Sequence, residues 1–154
     1  MQVSQTASLD EADLQILREL QRNARASFKA IAQKVGVSEA TVFVRVRKMQ
    51  EKNVIKGFIT LVAPVAVGKP LIAIVLVRAN PKAFAGTLQA LKKFEDVYEI
   101  YDVTGQYYSI LKIRTSGTEE LGKIIDEIGK IDGIAGTETI IVLRTVKEDV
   151  TVRF

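Results

Sequence analysis

Cationic, small and hydroxyl-bearing side chains share one side of the segment between residues 38 and 52. Projected as a helix at 100° per residue, this segment brings its polar and small side chains within roughly 120° of one another. Arginine and lysine bind phosphates or guanine edges, threonine hydrogen-bonds to bases, and valine contacts the methyl group of thymine. The residues on this face are Ala40, Thr41, Val44, Arg47 and Lys48, with Arg45 near its edge.

These residue types predict contact with double-stranded DNA. We expect Thr41, Val44 and Arg47 to meet base edges, and the small Ala40 to permit a close approach. Phosphate contacts are expected from the remaining cations and from two residues of the preceding segment. The candidate DNA-contacting residues are Ser27, Lys29, Ser38, Thr41, Val44, Arg45, Arg47 and Lys48.

An alternative to DNA contact is that these cations only keep one helix face in water. The distribution of charge along the chain argues against it. Residues 1–60 contain 10 lysines and arginines against 6 acidic residues, whereas residues 61–154 contain 12 of each. The whole excess of +4 therefore lies in the first 60 residues. Such a one-sided excess is typical of a chain of which only one part contacts a polyanion.

Three helices and a following strand are predicted around this segment. Ser27 and Ser38 are suited to cap the second and third helices, and Gly36 to end the second in a left-handed conformation. Two short helices joined in this way form a helix-turn-helix, whose second helix lies in the DNA major groove. We expect helices from Asp10 to about Gln21, from Ser27 to Val35 and from Ser38 to about Lys52, with Val42, Val46 and Met49 facing inward, and a strand over Val54–Leu61.

The apolar pattern changes after the break at Gly68-Lys69-Pro70, from helical spacing to short β-branched runs. The order of elements is β-α-β-β-α-β, which predicts a ferredoxin-like domain. The fold class is thus α+β, with a helix-turn-helix domain over residues 1–60, a linker over 61–69 and a ferredoxin-like domain over 70–154. Strands are expected over Leu71–Val77, Val97–Val103, Tyr107–Arg114 and Ile134 to about Val146, with helices opening at Pro81 and at Ser116 or Thr118.

The chain has no cysteine and no histidine, which removes thiolate chemistry, the commonest general base and most zinc sites. An acid–base group of Asp102, Tyr107, Tyr108 and Lys112 is conceivable, but Asp and Tyr are ordinary beside a hairpin turn. We therefore expect no enzyme, no metal and no cofactor. The absence of a long apolar run or a signal sequence predicts a cytoplasmic protein without a membrane partner.

Six short motifs follow one another along nearly the whole chain. They are Leu9-Asp10-x-x-Asp13-x-x-Ile16-Leu17-x-x-Leu20, Ile31-Ala32-x-x-Val35-Gly36-Val37-Ser38, Thr41-Val42-x-x-Arg45-Val46-Arg47-Lys48-Met49, Val54-Ile55-x-Gly57-Phe58, Val103-Thr104-Gly105-Gln106-Tyr107 and Thr137-Glu138-Thr139-Ile140-Ile141-Val142-Leu143. In this order and spacing they resemble the leucine-responsive/AsnC (feast/famine) family of transcriptional regulators. The resemblance implies a helix-turn-helix followed by an effector-binding and assembly domain, homodimers that commonly join into tetramers or octamers, and control by amino acids or related metabolites.

The resemblance also implies an effector site at the hairpin turn, near the closing strand. Family members often carry Gly-Asp-Tyr-Asp where this chain has Gly105-Gln106-Tyr107-Tyr108, so both acids that would hold an ammonium group are absent. Asp102 would replace them only if its side chain reaches the same pocket. Three alternatives stay open: a polar amino acid held mainly through its carboxylate and side chain, an architectural DNA-binding protein without an effector, and a hairpin whose tyrosines lie in a subunit interface. The matching positions are Thr104, Gly105, Gln106, Tyr107, Tyr108, Thr137 and Thr139.

Overall fold

The computed structural model describes residues 8–154, apart from the side chain of Phe84, and divides into two compact units. The described residues up to Leu61, together with Asp149–Phe154, form the helical unit. Val62–Glu148 form the sheet unit. Within residues 8–154, no helix is both long enough and apolar enough to cross a membrane.

The helical unit contains the three predicted helices. Asp10, Ser27 and Ser38 cap them, each accepting a hydrogen bond from the backbone three residues later. Gly36 ends the second helix with φ 77°, in the left-handed conformation that glycine adopts without strain. The helices are α1 (Glu11–Arg22), α2 (Phe28–Val35) and α3 (Glu39–Glu51).

The core of the helical unit is small and apolar. The inward prediction for the third helix is confirmed, since Val42, Val46 and Met49 are all buried. They meet Ile16 and Leu20 of α1 and two residues of α2. Because one side of α3 packs into this core, its opposite side lies at the surface. The buried residues are Ile16, Leu20, Ile31, Ala32, Val42, Val46 and Met49.

The sheet unit has the predicted ferredoxin-like order of elements. Its four strands pair antiparallel in the order β2-β3-β1-β4, so β2 and β4 are the edges. A short 3₁₀ turn over Pro64–Val67 precedes the first strand. The elements are β1 (Leu71–Ala79), α4 (Phe84–Leu91), β2 (Val97–Asp102), β3 (Ser109–Thr115), α5 (Thr118–Gly129) and β4 (Ile134–Ile141).

The two faces of this sheet differ in burial. On one face Ala73, Val75 and Val77 of β1 are fully buried, in a core with Leu91 of α4 and Ile128 of α5. The alternate residues of the same strand point to the other face, where they are only partly buried. Ile140 of the edge strand, the register partner of Ile74, is 48% exposed there. The second face is thus mixed: an apolar stripe of Ile72, Ile74 and Leu76 on β1 lies beside Lys112 and Arg114 of β3.

Two of the expected strands differ in the structure. The strand predicted over Val54–Leu61 is wrong: this stretch has no strand, and Ile59 and Leu61 are largely exposed. A strand requires a paired neighbouring strand, whereas the backbone N–H groups of Val54 and Ile55 both donate to the carbonyl of Met49 at the end of α3. The last strand ends at Ile141 and not near Val146. Its partner β1 runs antiparallel and begins at Leu71, so the pairing stops once Val142 bonds to Ile72.

The final residues of the chain pack on α1 in the helical unit. The backbone of Val152 exchanges two hydrogen bonds with the side-chain amide of Gln21, at 2.9 and 3.1 Å. Arg18 donates to the backbone carbonyl of Phe154 at 3.3 Å, and its guanidinium lies 5.7 Å from the centre of that ring. These contacts brace α1 with a segment more than 130 residues later in the chain.

Candidate nucleic-acid interface and effector site

Ser38 fixes the start of α3. Its Oγ accepts a hydrogen bond from the backbone N–H of Thr41 at 3.0 Å, and the two side-chain hydroxyls lie 2.7 Å apart. The left-handed Gly36 turns the chain just before this cap. Both hydroxyls therefore lie together at the N-terminal end of α3, next to the exposed side of the helix.

The exposed side of α3 is apolar at its centre and cationic around it. Val44 is 47% exposed, although Val42 and Val46 of the same helix are buried. Val44 lines a surface hollow of about 530 Å³ together with Ala40, Thr41 and Lys48. A hollow with an apolar floor and a cationic rim suits base edges bordered by phosphates. Of the residues predicted to meet bases, the structure brings Thr41 and Val44 together in this hollow, and Arg47 lies outside its lining.

The cations around Val44 differ in whether they have an ion-pair partner. Within residues 8–154 neither Lys48 nor Lys52 has an ion-pair partner. Arg47 donates to Glu51 at 3.1 Å, but both side chains are more than 60% exposed. Such a surface pair contributes only about 0.3–0.5 kcal/mol, so Arg47 can exchange its partner for DNA at little cost. Lys52 is a cation that the sequence analysis did not select.

Ser27 and Lys29 lie at the start of α2. The Oγ of Ser27 accepts from the backbone N–H of Ala30 at 3.2 Å, and Lys29 is exposed in the first turn. Phe28 packs edge-on against Phe43 of α3, with ring centres 6.2 Å apart. The aromatic pair ties the start of α2 to α3, so cationic residues of both helices belong to one rigid unit.

Arg45 is held differently from its neighbours on α3. Its Nη1 donates to Asp10 at 2.7 Å and to Asp13 at 2.8 Å, and its side chain is only 30% exposed. The hydrogen bonds to Asp13 and then Asp10 raise the pKa of Arg45. The backbone N–H of Asp13, and after it Arg45, lowers the pKa of Asp10. The same two acids form the cap at the start of α1.

The loop between β2 and β3 is fixed from two sides. The backbone N–H of Tyr108 donates to Val77 of β1 at 2.9 Å, and the N–H of Val103 donates to Tyr108 at 3.2 Å. Gly105, with φ 117°, occupies a conformation that side chains rarely adopt. The predicted turn residues Thr104, Gly105 and Gln106 therefore protrude from a well-anchored base.

Tyr107 connects this loop to two strands. Its hydroxyl is bonded to the carboxylate of Glu138 on β4, and the guanidinium of Arg78 on β1 lies 5.9 Å from the centre of its ring. The carboxylate raises the pKa of Tyr107. Arg78 and Glu138 were missed by the sequence analysis, because only the strand register brings them beside the loop.

Thr137 and Thr139 lie on the edge strand next to Glu138. They are the register partners of Val77 and Val75, whose side chains enter the core, so they project to the opposite face from Glu138. The structure therefore does not gather the two threonines with Tyr107 on one side of the sheet.

The residues considered for acid–base chemistry are engaged separately. Lys112 is bonded to Glu99 at 3.1 Å and also to Glu148, whereas Tyr107 is bonded to Glu138. Among the described residues there is no group of three acidic side chains suited to hold a metal ion.

Comparison with known proteins adds to this geometry. The AsnC-type helix-turn-helix domain matches residues 9–50, and the Lrp/AsnC ligand binding domain matches residues 72–152. The transcriptional regulator FL11 of Pyrococcus abyssi is 39% identical over 141 residues, covering 92% of this chain and 93% of the relative. LrpA of Pyrococcus horikoshii is 36% identical over 140 residues, covering 90% and 99%. The structure of E. coli AsnC superimposes with a TM-score of 0.88 at 31% identity, covering 94% of this chain and 99% of that one.

Proposed function

Because the chain belongs to the Lrp/AsnC family of DNA-binding transcriptional regulators, we propose that it recognises its sites through the exposed side of α3 and responds to an amino acid or a related metabolite. One observation carries the proposal that α3 recognises DNA. Val44 is half exposed and surrounded by cations, although the other side of the same helix is buried. Val44 lies outside the apolar core of the helical unit, and the major groove offers it thymine methyl groups.

The roles of the individual residues follow from their places on α2 and α3. Thr41 and Val44, which line the hollow, and the exposed Arg47 meet base edges. Lys48 contacts phosphate, as do Ser27 and Lys29 at the start of α2, where free backbone N–H groups and the helix dipole favour an anion. Ser38 keeps the N-terminal end of α3 in place while it enters the groove.

Recovery of bound genomic DNA, followed by titration of a recovered duplex and a scrambled duplex, tests this proposal. A sequence-reading regulator binds its preferred duplex about 10³-fold or more tightly than the scrambled one at the same salt concentration. Equal affinities for the two duplexes would indicate an architectural DNA-binding protein. No binding to either would contradict the proposal as a whole.

For the effector, we propose that the loop Thr104–Tyr108 receives a small amino acid at its protruding end. The backbone N–H groups around Gly105 suit a carboxylate, whereas Thr137 and Thr139 face the other side of the sheet and take no part. Glu138 takes the place of the missing acids, because it is the carboxylate already bonded to this loop through Tyr107. An ammonium group removed from water needs such an anionic acceptor.

Calorimetric titration of the full chain with the twenty amino acids tests the effector site. Glu138→Gln, which keeps the size of the side chain and removes its charge, should weaken binding about tenfold or more. Asp102→Asn is the matched control and should leave binding unchanged. Tight binding of a simple aliphatic amino acid, unaffected by Glu138→Gln, Gln106→Ala or Tyr108→Ala, would show that the site lies elsewhere.

We also propose that the chain forms homodimers that join into tetramers or octamers. On the partly covered face of the sheet, Ile72, Ile74, Leu76 and Ile140 form an apolar stripe, and a second copy would bury it. Two-fold symmetry then presents two copies of α3 to successive major-groove faces, so the operator is an inverted repeat with half-sites about one helical turn apart or a multiple of it.

Two neighbouring isoleucines of β4 allow a matched test of this interface. Ile140 and Ile141 are 48% and 46% exposed, but they project to opposite faces of the sheet. Ile140→Glu places a charge on the proposed interface and should shift the full chain to monomers in analytical ultracentrifugation. Ile141→Glu should leave the dimer intact. A dimer that tolerates Ile140→Glu as well as Ile141→Glu would place the interface elsewhere.

A further inference from the structure

Arg45 is the one cation of α3 whose guanidinium bridges two carboxylates of another helix in the described part of the chain. The other cations on that helix are unpaired or, like Arg47, paired with an exposed acid of the same helix. The Asp13 side chain that faces Arg45 is only 14% exposed, so this contact lies deeper than the others. Arg45 therefore differs from its neighbours in surroundings, although it has the same charge.

The two carboxylates divide their oxygens between two tasks. One oxygen of each closes the cap of α1: Asp13 N–H donates to Asp10 Oδ1 at 2.8 Å, and Asp10 N–H donates to Asp13 Oδ2 at 3.2 Å. The remaining oxygens, Asp10 Oδ2 and Asp13 Oδ1, both accept from Arg45 Nη1. Capping and bridging use different atoms, so both occur at once. The start of α1 and the middle of α3 are thereby joined at a single nitrogen.

We propose that Arg45 is a positioning residue, which holds the base-reading side of α3 in place against α1 and does not bind a DNA phosphate. A move of its guanidinium to a phosphate would leave two carboxylates unneutralised beside the hollow that Val44 and Asp13 line. Those carboxylates would then repel the incoming DNA. In its bridging position Arg45 both orients α3 and neutralises acidic charge next to the interface.

This inference rests on the proposed DNA-binding function, and salt dependence separates the two roles of a cation. Removing a residue that contacts phosphate reduces the slope of log affinity against log salt by about 0.9 per contact. Removing a positioning residue leaves that slope unchanged, but it lowers the ratio of affinities for preferred and scrambled DNA. A residue needed only for folding changes neither quantity at a temperature at which the variant is fully folded.

The experiment compares Arg45→Gln with Lys48→Gln, the matched variant on the same helix. We expect Arg45→Gln to keep the wild-type salt slope and to lower the affinity ratio by up to about fivefold. Lys48→Gln should reduce the slope and weaken both duplexes equally. A reduced slope with an unchanged ratio for Arg45→Gln would overturn the inference. If the wild-type protein shows no preference for any duplex, the proposed function itself fails, which is a different result.

A second variant removes the bridge by changing the two carboxylates and keeping Arg45. It tests the inference even if Arg45→Gln does not fold. Asn is a good capping residue, so Asp10→Asn combined with Asp13→Asn retains the possibility of a cap while it removes both charges. If Arg45 positions α3, this variant should lower the affinity ratio as Arg45→Gln does. If Arg45 is a phosphate ligand, the released guanidinium should tighten binding to both duplexes with no loss of preference, and the inference would be overturned.

Discussion

In the helical unit, the candidate DNA contacts come from one stretch of the chain, residues 27–48, and local caps orient them. In the sheet unit, the candidate effector contacts come from a loop, from Arg78 of β1 and from Glu138 of β4. A side chain on the exposed side of α3 can therefore change without moving its neighbours. A change in the sheet register would separate Tyr107 from Glu138. The two sites differ in how far they depend on the rest of their unit.

Two left-handed glycines sharpen this comparison and should give the largest effect. At Gly36 an added Cβ would meet nothing within 4 Å, whereas at Gly133 it would lie 2.3 Å from the Cβ of Ala83. We expect Gly36→Ala to cost about 1–2 kcal/mol from backbone strain. Gly133→Ala should cost about 2–5 kcal/mol, because steric overlap adds to the strain.

Denaturant unfolding can assign these costs to each unit. All four tyrosines lie between residues 98 and 108, and the chain has no tryptophan. Tyrosine fluorescence therefore reports on the sheet unit, while far-UV circular dichroism follows both. Gly133→Ala should shift the fluorescence transition and Gly36→Ala should not. Equal shifts by both variants would mean that the two units do not unfold separately.

Arg47→Ala tests whether α3 contacts base edges, and it should give the next largest effect. It should cost about 1–3 kcal/mol of binding free energy on the preferred duplex and less on scrambled DNA. Glu51→Gln is the control, because it releases Arg47 from its surface pair without removing it. This variant should bind at least as well as the wild type. Equal losses on both duplexes for Arg47→Ala would assign Arg47 to phosphate contact.

Gln21→Ala tests the brace on α1 formed by the final residues of the chain. It removes two hydrogen bonds to the backbone of Val152, and we expect a loss of about 0.5–1 kcal/mol in the stability of the helical unit. Gln15→Ala on the same helix, which loses only a long contact to Glu11, is the control. The tyrosine signal of the sheet unit should not respond to either change.

The smallest expected effect is on the stability of the sheet unit at acidic pH. The backbone N–H of Ser116, and after it Lys69, lowers the pKa of Glu120 from 4.5 to about 2. Because the folded pKa lies below the unfolded one, the stabilisation is complete above about pH 4.5 and is lost as the pH falls toward 2. Glu120→Gln should flatten the fall in stability over that window. Glu119→Gln, on an exposed carboxylate of α5, should not.

The sequence predicted the three helices of the helical unit closely, because their signals are local. Ser27, Gly36 and Ser38 mark helix ends through bonds to residues three or four positions away. The spacing of Val42, Val46 and Met49 likewise reveals the inward side of α3. The place of Arg45 was not predicted, because its partners Asp10 and Asp13 lie more than 30 residues earlier and no local pattern connects them.

In the sheet unit, the order of the elements was predicted, but the register of the strands was not. The β-α-β-β-α-β pattern is confirmed, yet the proximity of Tyr107 to Glu138 depends on how β1 pairs with both neighbours. The strand predicted over Val54–Leu61 failed for a related reason. Apolar and branched residues such as Ile59 favour an extended chain, but they cannot supply the neighbour that a strand requires.

Titration of the recovered duplex against salt is the most direct test of the central claim, that the helical unit carries the DNA-binding surface. We predict that log affinity falls linearly with log salt, with a slope of about −0.9 for each phosphate neutralised. The double substitution Lys48→Gln and Lys52→Gln should reduce that slope, whereas Lys92→Gln and Lys93→Gln in the sheet unit should not. A protein that binds duplex DNA no better at about 50 mM than at about 300 mM salt would contradict the account.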